Sequence, residues 1–416
     1  PPTPHPFPMR ILLAWLNALR PGLIVAAAGI GAGDVVTATV TGAEFGTALA
    51  WALAVCVVLK FVLTEGLAHW QLATGTTIAQ AYTQRLPGWV RLYFLVYLWL
   101  WTFLVGGSLT NACGLAGHSI FPQLPIWGWG IIHSAVAVAL VWSGRFAFFE
   151  HLMKLLVGVM VVLIASCAVW LQPDPRLLLE HLFWPGLPEG GGRAVLSILG
   201  GIGGSMTLLC YGYWIQENGW NRLDHQPAIR ADLRIAYAVT FVFALALTIV
   251  ASQCNATVTQ GNGIVLEVAS RLKLSVGLAG QWAFLIGFWC AVFTSLLGVW
   301  QGVPYLYADL VTSRAGGKVN AAELKKTWAY RGYLLFLAGP PLVLLFIERP
   351  VAIVTVFTLV GAFFMPLLAA ILLYLNYFAR REGEVDSGWL RNSLLLWALV
   401  IFSGIAVSEI VGALFG

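Results

Sequence analysis

One acidic residue, Asp34, stands near the middle of the apolar run 22–45, directly after Gly29, Gly31 and Gly33. A carboxylate at the centre of a membrane helix costs about 2.5–3.5 kcal/mol on insertion scales. Each glycine costs about 1 kcal/mol against alanine in a helix interior. A helix facing lipid has no use for either. A helix that breaks at mid-membrane does, because the break frees backbone carbonyls that, with the carboxylate, can hold a cationic solute. A second stretch of the same kind, Gly201-Ile202-Gly203-Gly204-Ser205-Met206-Thr207, interrupts the apolar run 194–216. Glycines in membrane helices also serve close packing, but two matched stretches point to a paired site. The donors on offer are Asp34, the hydroxyls of Thr37, Ser205 and Thr207, the freed carbonyls, and Tyr211 and Cys210 next to the second stretch. Carboxylate, carbonyl and water suit hard divalent ions such as Mg²⁺ or Mn²⁺. The same set suits a monovalent cation or an organic amine, and half-helix N-termini could face a carboxylate group.

Other polar residues lie inside apolar runs. Lys60 is the one basic residue well within a span, with Glu65 five positions on. The two are expected as an intramembrane ion pair, or Lys60 as a snorkelling lysine; the functional alternative is a fixed positive charge replacing a coupling ion. Glu150, His151 and Lys154 open another span and are expected as a solvated gate network, with proton coupling through His151 as the alternative. Gln216-Glu217-Asn218 closes a span and is expected to meet water. The six cysteines show no CxxC and no zinc spacing, so they read as small packing residues.

These residues need membrane helices to position them. Of 416 residues, 59% are hydrophobic and 10% charged, with mean hydropathy +0.83, which excludes an ordinary soluble domain. The net charge of +5 is dispersed among loops, with no stripe suited to nucleic acid. Apolar runs place eleven spans near 22–45, 46–68, 89–115, 126–144, 150–171, 194–217, 230–252, 281–311, 330–347, 350–377 and 392–415. Counted this way, one side collects Arg10, Arg20, Arg85, Arg91, Arg145, Lys154, Arg222, Arg230, Arg234, Arg314, Lys318, Lys325, Lys326, Arg331, Arg380, Arg381 and Arg391. The other holds only Arg176, Arg193, Arg271, Lys273 and Arg349. The asymmetry predicts a cytoplasmic N-terminus and an external C-terminus. Residues 1–19 are expected as a cytoplasmic tail, 20–380 as the transport domain and 381–416 as a loop and eleventh span. Asn255-Ala256-Thr257 matches a glycosylation tripeptide, a pattern common by chance. Spans 1–5 and 6–10 start from opposite sides, and each set opens with a broken helix, the pattern of an inverted repeat.

Several stretches resemble the NRAMP family of divalent-metal transporters, which have a LeuT-like fold. Arg20-Pro21-Gly22-Leu23 and the glycine-broken first span look like the family's GPG…DPGN region. Leu72-Ala73-Thr74-Gly75 looks like its V-V-T-G, and Phe149-Glu150 and Met365-Pro366-Leu367 sit where similar residues occur. The resemblance implies an all-α polytopic membrane protein of eleven helices, a 5+5 repeat with helices 1 and 6 broken, and an extra helix 11. Gap-free placement puts the family's metal-binding Asp at Gly31 and its Asn at Asp34. The family's A-x-x-M-P-H falls on Gly204–Leu209, so its Met becomes Thr207 and its His becomes Leu209, with Met206 one position away. A one-residue shift turns a helical side chain by about 100°. The site implied is therefore Gly31, Asp34, Thr37, Gly204, Ser205, Met206, Thr207 and Tyr211, with Asp34 and Thr207 as the metal ligands. No acid lies between Pro87 and Ser119, where metal-transporting members carry carboxylates linked to proton movement.

The function expected is a secondary transporter of a hard divalent cation, working by alternating access in a lipid bilayer, here a bacterial inner membrane. H⁺ or Na⁺ is the possible coupling ion, and no cofactor or nucleic-acid partner is expected. The alternatives are a non-metal solute on the same fold, either a small organic molecule or a monovalent cation, and a non-transporting sensor. No hydrolase, triad or nucleotide motif argues for an enzyme.

Overall fold

The computed structural model describes residues 22–254, 263–312, 320–346, 350–381 and 388–415. Residues 1–21, the tripeptide 255–257, Arg314 and Lys318 lie outside them. Every regular element among the described residues is helical.

The chain opens with α1 (Gly22–Gly29) and α2 (Ala32–Phe45), which meet at a bend of 65°. Then come α3 (Ala50–Thr74), α4 (Ile78–Gln84), α5 (Gly88–Ile120), α6 (Ile126–Trp142) and α7 (Phe146–Trp170). A short α8 (Pro175–Phe183) leads to α9 (Gly191–Gly201), a 3₁₀ turn (Met206–Cys210) and α10 (Tyr211–Glu217). The rest is α11 (Gln226–Gln253), α12 (Gly263–Val276), α13 (Leu278–Thr312), α14 (Ala321–Leu324), α15 (Trp328–Ala338), α16 (Pro350–Arg381) and α17 (Trp389–Phe415).

Eight segments among the described residues are long and apolar enough to cross a membrane, nine with the bent α1–α2 pair. The two remaining apolar runs form α6, which is shorter, and α17, whose apolar part covers Trp389–Gly404. Apolar residues surround α1, and Leu23 through Ala28 are all buried, as befits a central helix rather than a lipid-facing one. It packs against α7, α11 and α13. α13 runs through the middle of the bundle and touches α5, α7 and α15 as well. Helix ends are set locally. Gly75, in the left-handed region at φ +67°, stops α3, and Thr77 starts α4 by accepting from the Gln80 amide at 3.1 Å while Gln80 reaches back to the Thr77 N–H.

Candidate functional site

The first break lies at Ile30–Gly31, between α1 and α2. Gly31 begins α2 in extended backbone, and its N–H donates to Asp34 Oδ2 at 3.0 Å. Asp34 thus satisfies one of the amides that every helix start leaves unpaired. Its other oxygen crosses the site: the Gly203 N–H donates to Oδ1 at 2.7 Å. Gly203 lies in the second break, the four residues 202–205 between α9 and the 3₁₀ turn. Gly203 and Gly204 take φ +74° and +76°, a region costly to any residue with a Cβ.

The breaks touch through their glycines. A Cβ on Gly29 would lie 2.9 Å from the Gly203 carbonyl carbon, and one on Gly204 would lie 3.2 Å from Gly29 Cα. Gly31 faces the other way, against the side chains of Ser295 on α13 and Leu109 on α5. Ser295 donates its hydroxyl to the Ala28 carbonyl at 3.0 Å. A carboxylate at Gly31 would therefore meet Ser295, and the acid of this chain reaches the second break from Asp34 instead.

Lys60, fully buried in α3, donates from Nζ to the carbonyls of Ile202 and Gly204. The Ile202 carbonyl and the Gly203 N–H belong to one planar peptide unit. Asp34 and Lys60 therefore hold opposite ends of the same peptide, carboxylate on the N–H and ammonium on the C=O. Such charge-assisted bonds are about twice as strong as neutral ones, and they polarise the group between them.

Lys60 does not pair with Glu65, contrary to the sequence expectation. Five residues apart, the two face different sides of α3. Glu65 accepts from Arg230 Nε on α11 at 2.8 Å and from Arg391 Nε on α17 at 2.9 Å, with Gln226 Nε2 at 3.1 Å. The end of span 6 also departs from expectation. Glu217 accepts from Tyr305 Oη at 2.6 Å and pairs with Lys325, and Gln216 Oε1 accepts from the Ala321 N–H at 3.2 Å. These contacts lash α10 to α13 and α14 instead of leaving it to water.

The remaining expected residues divide. Ser205 is buried and accepts from Trp101 Nε1 of α5 at 3.1 Å. Thr207 is buried against Gly204, and its Oγ1 has no hydrogen-bond partner among the described residues. Met206 is buried in the 3₁₀ turn. Tyr211 turns from the breaks and donates to Asp232 Oδ2 on α11 at 3.1 Å. Thr37 lines a cavity of about 230 Å³ between α2 and α9, with Thr41, Glu44, Arg193 and Ser197. Glu150 and Lys154 form an i,i+4 pair at 2.9 Å on α7, while His151 is exposed and bonds the Ala147 carbonyl of its own helix. Among the described residues, no three His, Cys, Asp or Glu side chains gather as a metal cluster.

Sequence reasoning passed over Ser295, Trp101 and Asp309. Asp309, buried in α13, accepts from Thr77 Oγ1, from Gln80 Nε2 at 3.3 Å and from Tyr213 Oη at 2.8 Å. An acid inside the long apolar run 281–311 was the available signal for it.

Two interrupted helices meeting at mid-bundle, under helices that brace both, form a transporter-like core. The Natural resistance-associated macrophage protein-like (Nramp) family profile matches residues 22–412. The chain belongs to the Nramp family. It is 23% identical over 258 residues to the metal transporter NRAT1 of Oryza sativa subsp. japonica, covering 58% of this chain and 46% of that protein. It is 22% identical over 194 residues to metal transporter Nramp6.2 of Populus trichocarpa, covering 45% and 35%. The chain thus spans less than half the length of these relatives. In fold it is similar to the Eremococcus coleocola manganese transporter, with TM-score 0.75 at 15% identity over 99% of this chain and 90% of that one. It is also similar to MHP1, a nucleobase-cation-symport-1 family transporter, with TM-score 0.54 at 13% identity over 95% and 93% of the chains.

Proposed function

We propose that this Nramp-family chain is a secondary transporter that moves a hard divalent cation, Mg²⁺ or Mn²⁺, across a membrane by alternating access about the two breaks. The observation that carries this is the junction of Gly29, Asp34, Gly203 and Gly204, where freed carbonyls and one buried carboxylate converge. Support comes from the family, from relatives named as metal transporters, and from likeness to a manganese transporter. The donor set is all oxygen, which suits hard ions and disfavours Cd²⁺. In this reading, residues 20–380 act as one transport domain of ten spans in two inverted sets, with residues 381–416 adding an eleventh. The distribution of Arg and Lys supports a cytoplasmic N-terminus. The cavity beside Thr37 then lies on the external side, about one helical turn above Asp34. Asp34 and Thr207 are its proposed metal ligands.

A second reading, a monovalent cation or small organic solute, is favoured by Lys60. Its positive head already sits on two of the carbonyls that a divalent ion would use. Flux of Mg²⁺, Mn²⁺, Cd²⁺ and a panel of small solutes into proteoliposomes decides between them. Saturable Mn²⁺ or Mg²⁺ uptake supports the first reading. Uptake confined to a non-metal solute supports the second.

A further inference from the structure

We infer that Lys60 is a tethered cation seated in the carbonyl cradle opened by the break after α9, standing where a separately bound cation would otherwise sit. Four observations carry this. The side chain is completely buried near the middle of a membrane helix, so its head does not reach the interface as a snorkelling lysine's does. Its Nζ donates to two main-chain carbonyls, Ile202 and Gly204, that no helix uses. The acid of its own helix, Glu65, is held by Arg230 and Arg391. The geometry around it also suits a cation. The last carbonyls of α9 point toward this region, the negative end of that helix. Cys56, one turn before Lys60 on the same face, donates Sγ to the Ile198 carbonyl at 3.3 Å.

Gly203 packs in ordinary contact with the lysine. Gly203, at φ +74°, has no side chain, and a Cβ there would lie 3.5 Å from Lys60 Cδ. The ammonium and the Asp34 carboxylate share one peptide unit, so each is the other's counter-charge across that peptide. A buried ion without such a partner costs several kcal/mol. With Lys60 in place the junction is neutral before any solute arrives. A cation from solution must displace the ammonium or bind beside it, and no second ion is needed there to balance Asp34.

The test is chemical rescue in the full chain, purified in nanodiscs. Lys60→Ala removes the equivalent of n-propylammonium and leaves the cradle open. Thermal unfolding is followed with n-propylammonium, Na⁺ or K⁺ added, and with 1-propanol as the uncharged control. The expected result is that Lys60→Ala unfolds at a lower temperature than wild type and is restabilised, saturably, by propylammonium or by Na⁺ or K⁺. Propanol should have no effect, wild type should not respond, and Lys60→Ala combined with Asp34→Asn should lose the response. If Lys60→Ala yields no folded protein, Lys60→Ser, which leaves the cradle equally open, takes its place with the same expectation. A folded variant indifferent to all three cations, or one that propanol stabilises equally, overturns the inference. Mn²⁺ and Mg²⁺ flux by wild type is measured alongside. Rescue without flux removes the divalent-transport reading and leaves Lys60 as the resident cation. Flux without rescue removes the Lys60 inference alone.

Discussion

Asp34→Asn is the perturbation that separates charge from shape at this junction. The carboxylate accepts on both oxygens, from Gly31 at 3.0 Å and from Gly203 at 2.7 Å. Asparagine has one acceptor oxygen and turns an NH₂ toward the other amide. Whichever bond it keeps, one buried N–H loses its partner, at about 1–3 kcal/mol. The retained bond also becomes neutral, and Lys60 loses its counter-charge across the Ile202–Gly203 peptide. Asp34→Asn should therefore unfold at a lower temperature than wild type, and Asp34→Ala, which loses both bonds, at a lower one still. If the carboxylate also holds the carried cation, uptake at sub-saturating solute should fall at least tenfold, about 1.4 kcal/mol of lost interaction. The assays are tryptophan-fluorescence unfolding in nanodiscs and proteoliposome flux at matched protein levels. Removing Lys60 as well should recover part of the loss, since one orphaned charge is worse than none. The double variant Asp34→Asn/Lys60→Met should be more stable than the summed singles by about 0.5 kcal/mol or more. Unchanged unfolding and unchanged flux for Asp34→Asn would refute both the two-oxygen bridge and the charge role.

Three further outcomes are expected. Gly29→Ala places a Cβ 2.9 Å from the Gly203 carbonyl carbon and 3.2 Å from the Gly204 nitrogen, so the two breaks must move apart. A cost of about 1–3 kcal/mol for overpacking and a loss of flux should follow, and wild-type behaviour in both assays would show that the breaks need not touch. Glu65→Gln leaves Arg391 unpaired where both side chains are about nine-tenths buried, with exposures of 9% and 10%. Destabilisation of about 3–5 kcal/mol is expected from Arg391 alone, because Arg230 is half-exposed and hydrated, and unfolding measurements check it. In calorimetry, Mg²⁺ or Mn²⁺ should bind in preference to Cd²⁺, because Asp34, Thr207 and the freed carbonyls offer oxygen donors. Tight Cd²⁺ binding would instead implicate the sulfur of Met206 or Cys210.

The sequence by itself determined where the two helices break. Glycine runs and a lone acid inside an apolar span act locally, through helix propensity and the cost of charge in lipid, and both stretches are visible without any partner. Composition determined the membrane class, and the order of short motifs pointed to the family confirmed by the profile over residues 22–412. What the polar residues do with one another was decided only by the tertiary structure. Asp34 reaches Gly203 across 169 positions, and Lys60 reaches Ile202 across 142. Glu65, an obvious partner for Lys60 by spacing, goes to Arg391 across 326. Glu217, which looks solvated at a span end, goes to Tyr305 and Lys325. Gly31 reads as a missing ligand in a gap-free placement, but in three dimensions it is the space that Ser295 fills. The physical reason is common to all of them. A buried charge or hydrogen-bond donor must find a partner, but periodicity and composition are the same whichever helix packing brings to it.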